Sequence, residues 1–363
     1  MSASRNAADA TIATTLALVD QFLSALAPDA TADTRTTQNN APSPLLLLET
    51  AAKTLKAQVT KSSLLTVTPP FTPSAISTSF KTINESILPS LVTATLLITG
   101  ETFTESFAKE ARGLSRVVLR ELSALTKLVE ARSKDGQPKS DPAKAKKAEI
   151  TEATGRVWES CDALVLFSQQ GLPGFTVRKA KQWLELMKDA VKELQEWDPN
   201  EDIDANNPFD DAASDDGGED SGDAAGSEEP NHRATISAGV KEQALRVLSR
   251  IPQSIHVVVK QRLEKFRPPG GGTLPVETRD TLDYIVTSTR AISDMLDEAA
   301  EGMYLGDPEL CLKKAGSARA LTIEVVERVA QPLDALPGVD SSQTPGDKYV
   351  QRALEWIRQV DTG

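Results

Sequence analysis

Apolar residues recur at intervals of three and four along most of the chain, the spacing that lines up one face of an α-helix. The longest such run predicts a helix over about 101–131, with Phe107, Ala111, Leu114, Val118, Leu122, Leu125 and Val129 in one stripe. At 1.5 Å per residue it is about 45 Å long, and so narrow a stripe suits packing between nearly antiparallel helices. Ile12, Leu16, Val19 and Leu23 predict an earlier helix ending before Pro28, and Pro44 opens another that runs to about Val59. Ser74 is the expected cap of a helix kinked at Pro89. Residues 143–170 predict a helix that ends at Gly171. Thr176 is then the expected cap of one whose apolar face is Trp183, Met187, Ala190, Leu194 and Trp197.

The periodicity lapses and then resumes. Val240, Ala244, Leu248, Ile251, Ile255 and Val258 predict a helix bent near Pro252. Leu282, Ile285, Ile292, Leu296, Ala299 and Met303 mark another, and Asp307-Pro308 has the order of a cap followed by a first-turn proline. Val350, Leu354 and Ile357 mark a short final helix. Polar and β-branched residues nowhere alternate in a run closed by Asn-Gly or Asp-Gly, so strands are not expected. The fold class is all-α.

Charge explains the lapse. The 363 residues carry 40 Lys and Arg against 52 Asp and Glu, a formal charge of −12. Thirteen of those carboxylates lie between Asp198 and Glu229, with no cation among them, leaving 39 carboxylates against 40 cations elsewhere. Gly217, Gly218, Gly222 and Gly226 punctuate the tract, and its only large apolar residues are Ile203 and Phe209. Such a segment cannot offset an ordering cost of about 1–2 kcal/mol per residue. The expected organisation is two antiparallel helical bundles, 1–198 and 234–363, joined by a disordered acidic linker over 199–233. Direct nucleic-acid binding is not expected, because the tract repels phosphates and the remainder is nearly neutral.

Composition narrows the chemistry. Two cysteines, Cys161 and Cys311, make no disulfide framework, and two histidines, His232 and His256, leave little for a metal centre or a triad. No catalytic residue, cofactor or metal site is predicted. Asp202-x-Asp204-x-Asn206 starts like a calcium loop, but Asn207 and Ala213 replace the required Gly and bidentate Glu. Gly270, Gly271 and Gly272 lack the Gly-Lys-Ser/Thr that completes a phosphate loop. Neither the stretch Thr11–Ala27, interrupted by Asp20, nor Ile87–Ile98, with Pro89 and Thr93, is a signal or a membrane span. A cytoplasmic or nuclear location is expected by elimination.

Three features bear on binding. Trp158, Cys161, Asp162 and Val165 fall on one helix face, either a partner patch anchored by Trp158 or a packed face with Asp162 bonded to a neighbouring helix. Trp183 and Trp197 are further candidate contact residues. Ser214, Ser221 and Ser227 lie among carboxylates, where a phosphate would add nearly two more negative charges. His256 is expected at the edge of an apolar face, as a core or boundary residue.

The order of segments carries a resemblance. Gly155-Arg156-Val157-Trp158-Glu159-Ser160-Cys161-Asp162-Ala163-Leu164 precedes the Gly171-Leu172-Pro173 break. Then come Lys188-Asp189-Ala190-Val191-Lys192-Glu193-Leu194-Gln195-Glu196-Trp197, the acidic tract and a second helical half. This arrangement resembles the GCIP family, the Grap2- and cyclin-D-interacting proteins, and is most similar to its fungal branch. The resemblance is sharpest over 155–198 and extends as an order of helices and breaks over about 45–360. It implies an all-helical, non-enzymatic protein of nucleus and cytoplasm that binds cyclin-like or helix-loop-helix partners and acts in cell-cycle or transcriptional control. No basic region precedes a helix pair here, so DNA contact is not implied. The rival expectation is a structural or scaffold bundle of cytoskeletal or trafficking type.

Overall fold

The computed structural model describes residues 2–28, 43–135, 142–198, 229–268, 274–333 and 345–360. All regular elements among the described residues are helical, so the all-α expectation holds. The chain forms two compact units, Met1–Phe175 and Thr176–Gly363. Of the expected linker over 199–233, residues 199–228, with Ser214, Ser221 and Ser227, lie outside the described residues, whereas 229–233 belong to the helix Glu229–Leu248.

The first unit begins with α1, Ser2–Ala25, and α2, Pro44–Val67, where proline occupies the first turn as expected. Next come α3, Pro73–Thr82, a π-helical turn at Ile83–Ile87, and α4, Leu88–Leu97. The cap of α3 differs from expectation: Thr72 precedes the helix and Pro73 starts it, so Ser74 lies in the first turn. The irregularity near Pro89 is the π-turn just before it, consistent with a ring that supplies no N–H to the helical ladder. The long helix α5 covers Glu105–Lys134, and the Thr104 side chain accepts from Phe107 N. Its buried side chains include Phe107, Ala111, Val118, Leu122, Leu125 and Val129, six of the seven stripe residues.

Polar side chains register these helices where apolar contact alone would let them slide. Ser62 Oγ and Ser79 Oγ, 2.7 Å apart and buried, join α2 to α3. Thr95 Oγ1 and Ser115 Oγ, also 2.7 Å apart, join α4 to α5. Ser133 Oγ donates to Asp9 Oδ1 at 2.6 Å and ties the end of α5 to α1. Each of these hydroxyls has a partner, without which it would cost about 1–3 kcal/mol.

Helix α6, Lys144–Glu196, is broken at Gly171 (φ 58°, ψ −167°). That positive φ is costly for a residue with a Cβ and ordinary for glycine. The sequence expectation of a break at Gly171 is met. The expected cap at Thr176 is not: the helix resumes at Leu172, Pro173 lies in its first turn, and Thr176 is fully buried within it. The portion before the break belongs to the first unit and packs Phe167 against Phe107, ring centroids 4.3 Å apart.

The portion of α6 from Thr176 onward belongs to the second unit, although composition alone placed a boundary at residue 198. The reason is visible in its partners. Trp183 lies 5.8 Å from the Arg290 guanidinium, Trp197 stacks edge-on to Tyr304 at 5.5 Å, and Lys181 pairs with Glu264 at 2.7 Å. All three partners follow the acidic tract in sequence. The tract therefore interrupts the second unit instead of separating two bundles.

The rest of that unit comprises α7, Glu229–Leu248; α8, Arg250–Val258; a π-turn at Val259–Leu263; α9, Val276–Tyr304; α10, Pro308–Arg328; and α11, Pro345–Arg358. Helices α9 and α10 pack against each other, and α10 also contacts α7, α8 and α11. Asp307 caps α10 through Oδ1, which accepts from Leu310 N at 2.9 Å, and Pro308 follows it, as the sequence predicts.

Candidate functional site

In the first unit, α2 and the early part of α6 meet along a line of polar pairs. Gln169 Nε2 donates to Glu49 Oε1 at 2.8 Å. Lys56 Nζ bonds both oxygens of Asp162, at 2.7 and 2.6 Å. Trp158 Nε1 donates to Thr60 Oγ1 at 3.1 Å, and Ser63 Oγ lies 2.6 Å from Thr154 Oγ1. As the sequence advances along α2 it retreats along α6 by nearly equal steps. That is the register of two antiparallel helices, and each step of three, four or seven returns to the same face.

This register sorts the predicted patch into two halves. Cys161 points into the core and is fully buried; desolvation pushes its thiol up to about 12, with the adjacent Asp162 charge adding and Lys56 opposing. Trp158 and Asp162 stay at the surface. The indole of Trp158 is 38% exposed, and the Lys56 ammonium lies 5.9 Å from its ring. Trp158, Asp162, Lys56 and Thr60 thus form one surface cluster: an aromatic plane, an ion pair and a hydroxyl. Thiolate chemistry at Cys161 is opposed by its burial.

Of the other predicted contact residues, Trp183 and Trp197 are half-buried in the second unit. Trp197 is held by Tyr304 and by Lys241, whose Nζ lies 5.9 Å from the indole and donates to the carbonyls of Gln195, at 2.9 Å, and of Trp197 itself. The five predicted residues are divided between the two units. Trp158 and Asp162 come together, Cys161 is core, and Trp183 and Trp197 serve the second unit. His256 is exposed, not a core or boundary residue.

Sequence reasoning missed two sets of surface residues. Lys56 and Thr60 were invisible because their role depends on the α2–α6 register. Tyr349, Arg352 and Trp356 were missed although a signal existed: they stand at i, i+3 and i+7, a second stripe beside Val350, Leu354 and Ile357. That stripe lines a groove of the second unit of about 890 Å³, between the end of α6, α8 and α11.

No cluster of three or more His, Cys, Asp or Glu side chains suited to a metal occurs among the described residues. No described helix is long and apolar enough to cross a membrane.

Residues 47–200 match the family model described as Grap2 and cyclin-D-interacting, N-terminal. Over these residues the chain is similar to the N-terminal domain of this family. The match takes in nearly all of α2 and the whole of α6, and so includes every residue of the Trp158 cluster. The resemblance read from Trp158-x-x-Cys161-Asp162 and from Lys188-Asp189-Ala190 to Trp197 lies wholly inside it. No curated protein matches the chain. The matched stretch begins in the first unit and continues past Phe175, the last residue of that unit.

Proposed function

We propose that this chain is a non-catalytic, protein-binding regulator that acts in cell-cycle or transcriptional control, in nucleus and cytoplasm, by engaging helices of partner proteins on its bundle surface. The observation that carries the reading is the family match over residues 47–200, whose description names interaction with cyclin D. The Trp158 cluster fits the part. A large, partly exposed indole beside a cation and a carboxylate gives a partner both apolar area and directional contacts, the combination typical of binding hot spots. Cyclin-like and helix-loop-helix proteins are the partner classes that follow from the family.

The mechanism is sequestration: a partner helix held on the bundle cannot engage its own target, and no covalent step is required. The test is titration of the purified full-length chain with a cyclin of D type and with a helix-loop-helix protein, read by calorimetry. Micromolar or tighter binding to either, weakened at least tenfold by Trp158→Ala with unchanged circular dichroism, supports the reading. Absence of binding to both classes refutes it.

A further inference from the structure

The groove of the second unit offers a surface that the Trp158 cluster does not include. Its floor is apolar: Val191 from α6, Pro252 from α8 and Ala353 from α11 are buried among their neighbours yet line it. Two aromatic side chains of α11, Tyr349 and Trp356, stand along it, and Tyr349 is 52% exposed. A groove lined by both aliphatic and aromatic side chains suits the apolar stripe of a helix. With a helix diameter of about 10 Å and a pitch of 5.4 Å, 890 Å³ accommodates about two turns.

Charge specifies what kind of helix. The charged residues of the lining are Lys188 and Lys192 on the α6 side and Arg352 and Glu355 on the α11 side, with His256 between. Three permanent cations face one carboxylate. Lys188 pairs with Glu185 at 2.8 Å, and Lys192 stands 3.8 Å from Glu196. Both are exposed surface pairs, each worth little and readily exchanged for a new partner. Arg352 is exposed and makes no ion pair among the described residues. A guanidinium with no ion pair among the described residues, sharing an apolar lining with two lysines, is half of a complementary interface.

The geometry points to this groove as the docking site for an acidic amphipathic helix of a partner protein, one with an apolar stripe on the floor and Glu or Asp along both flanks. The inference deepens the proposed function, resting on it only in taking the occupant to be a protein segment. It adds a second surface, in a different unit, with its own chemistry. An extended nucleic acid would satisfy the cations but leave the apolar floor uncovered.

Fluorescence anisotropy on the full-length chain tests it with three labelled, end-capped probes. These are a 14-residue helix with a leucine stripe and glutamate flanks, the same helix with lysine flanks, and a 14-nucleotide single strand of DNA. The acidic helix is expected to bind at least tenfold more tightly than the other two, with affinity falling as salt rises. Tyr349→Ala weakens it about tenfold. The double variant Lys192→Glu/Arg352→Glu inverts the preference and takes up the lysine-flanked helix, a gain that damaged folding could not produce. Equal binding of both helices, tighter binding of the oligonucleotide, or no inversion overturns the proposal. So does an affinity raised more than tenfold by deleting residues 199–228, because the groove then belongs to the chain's own acidic tract. The titration with cyclin-type and helix-loop-helix proteins reads a different surface through Trp158, so either inference can fail while the other stands.

Discussion

Arg262 and Asp347 form an ion pair at 2.7 Å in which the arginine side chain is only 2% exposed. Arg262 lies in the π-turn Val259–Leu263, and its guanidinium also donates from Nε to Val329 O at 2.7 Å and from Nη2 to Ala330 O at 2.6 Å. One buried side chain thus ties the first turn of α11 to the end of α10 and to the segment after α8. The far end of α11 is fixed in the same chemistry. Arg250 Nη1 donates to Trp356 O at 2.6 Å, and Arg319 reaches Ile357 O and Arg358 O at 3.1 and 2.8 Å. Cations at the terminal carbonyls and a carboxylate in the first turn both suit the helix dipole.

Removing Arg262 is therefore expected to cost far more than removing a surface cation. Arg262→Met removes the buried guanidinium from two carbonyls and from its ion pair with Asp347, and the loss is about 3–5 kcal/mol. Asp347→Asn keeps the shape and loses one charge-assisted bond, about 1–3 kcal/mol. Urea denaturation gives both values. Amide exchange is expected to show α11 opening first in the Asn variant, because its C-terminal carbonyl contacts remain while its first turn is loosened.

How far the sequence discloses all this depends on the range of the interaction. The stripe of α5, the break at Gly171 and the Asp307-Pro308 cap are local, and each is found where the pattern predicts it. The division at Phe175 is not local. It follows from Arg290 finding Trp183 and Glu264 finding Lys181, pairings across more than 80 residues that periodicity does not encode. The same limit applies to the site. Spacing put Trp158 and Asp162 on one face, but also Cys161, because i+3 and i+4 diverge enough on a partly buried helix to separate core from surface. Lys56 and Thr60 emerge only once α2 is laid against α6.

The two thiols give a pH prediction. Burial raises Cys161 to about 12 and Cys311 to about 11, from an ordinary value of 9.0. The folded chain therefore holds these protons at pH values where the unfolded chain releases them. Their contribution to stability is complete below that ordinary value of 9.0 and is lost as pH rises through about 11 for Cys311 and about 12 for Cys161. Iodoacetamide at pH 8 is expected to modify neither thiol in the native chain and both in urea, with mass spectrometry as the readout. Rapid native labelling of Cys161 would contradict its placement in the core.

Phe107 anchors the aromatic cluster of the first unit. Its ring lies 5.1 Å from that of Phe103, 4.3 Å from Phe167 and 5.3 Å from Phe175, the last edge-on. Phe107→Ala removes a fully buried ring from a site closed on three sides, and about 3–5 kcal/mol is the expected loss. Phe107→Leu keeps most of the volume but forfeits the ring–ring contacts and is expected to cost roughly 1–2 kcal/mol. Thermal unfolding followed by circular dichroism distinguishes the two. Equal small losses for both would mean that the cluster is not where the first unit closes.

Two glycines separate packing from propensity. Gly302 sits near the end of α9, where the chain turns sharply into α10 and Asp307 N bonds back to Gly302 O at 2.7 Å. A Cβ there would lie 3.0 Å from Cys311 N, 3.2 Å from Asp307 O and 3.4 Å from Cys311 Cα, all backbone atoms that cannot swing aside. Gly113, exposed within α5, has no atom within 4 Å of the same position. Alanine at Gly113 is therefore expected to stabilise the chain by about 0.5–1 kcal/mol, through helix propensity alone. Alanine at Gly302 meets the same propensity gain but must push α9 from the first turn of α10, for a net loss of about 1–3 kcal/mol. Chemical denaturation of the two variants side by side gives opposite signs if α9 and α10 pack this closely. A stabilising Gly302→Ala would show that the turn has room for a methyl group and that the close approach at Cys311 is absent.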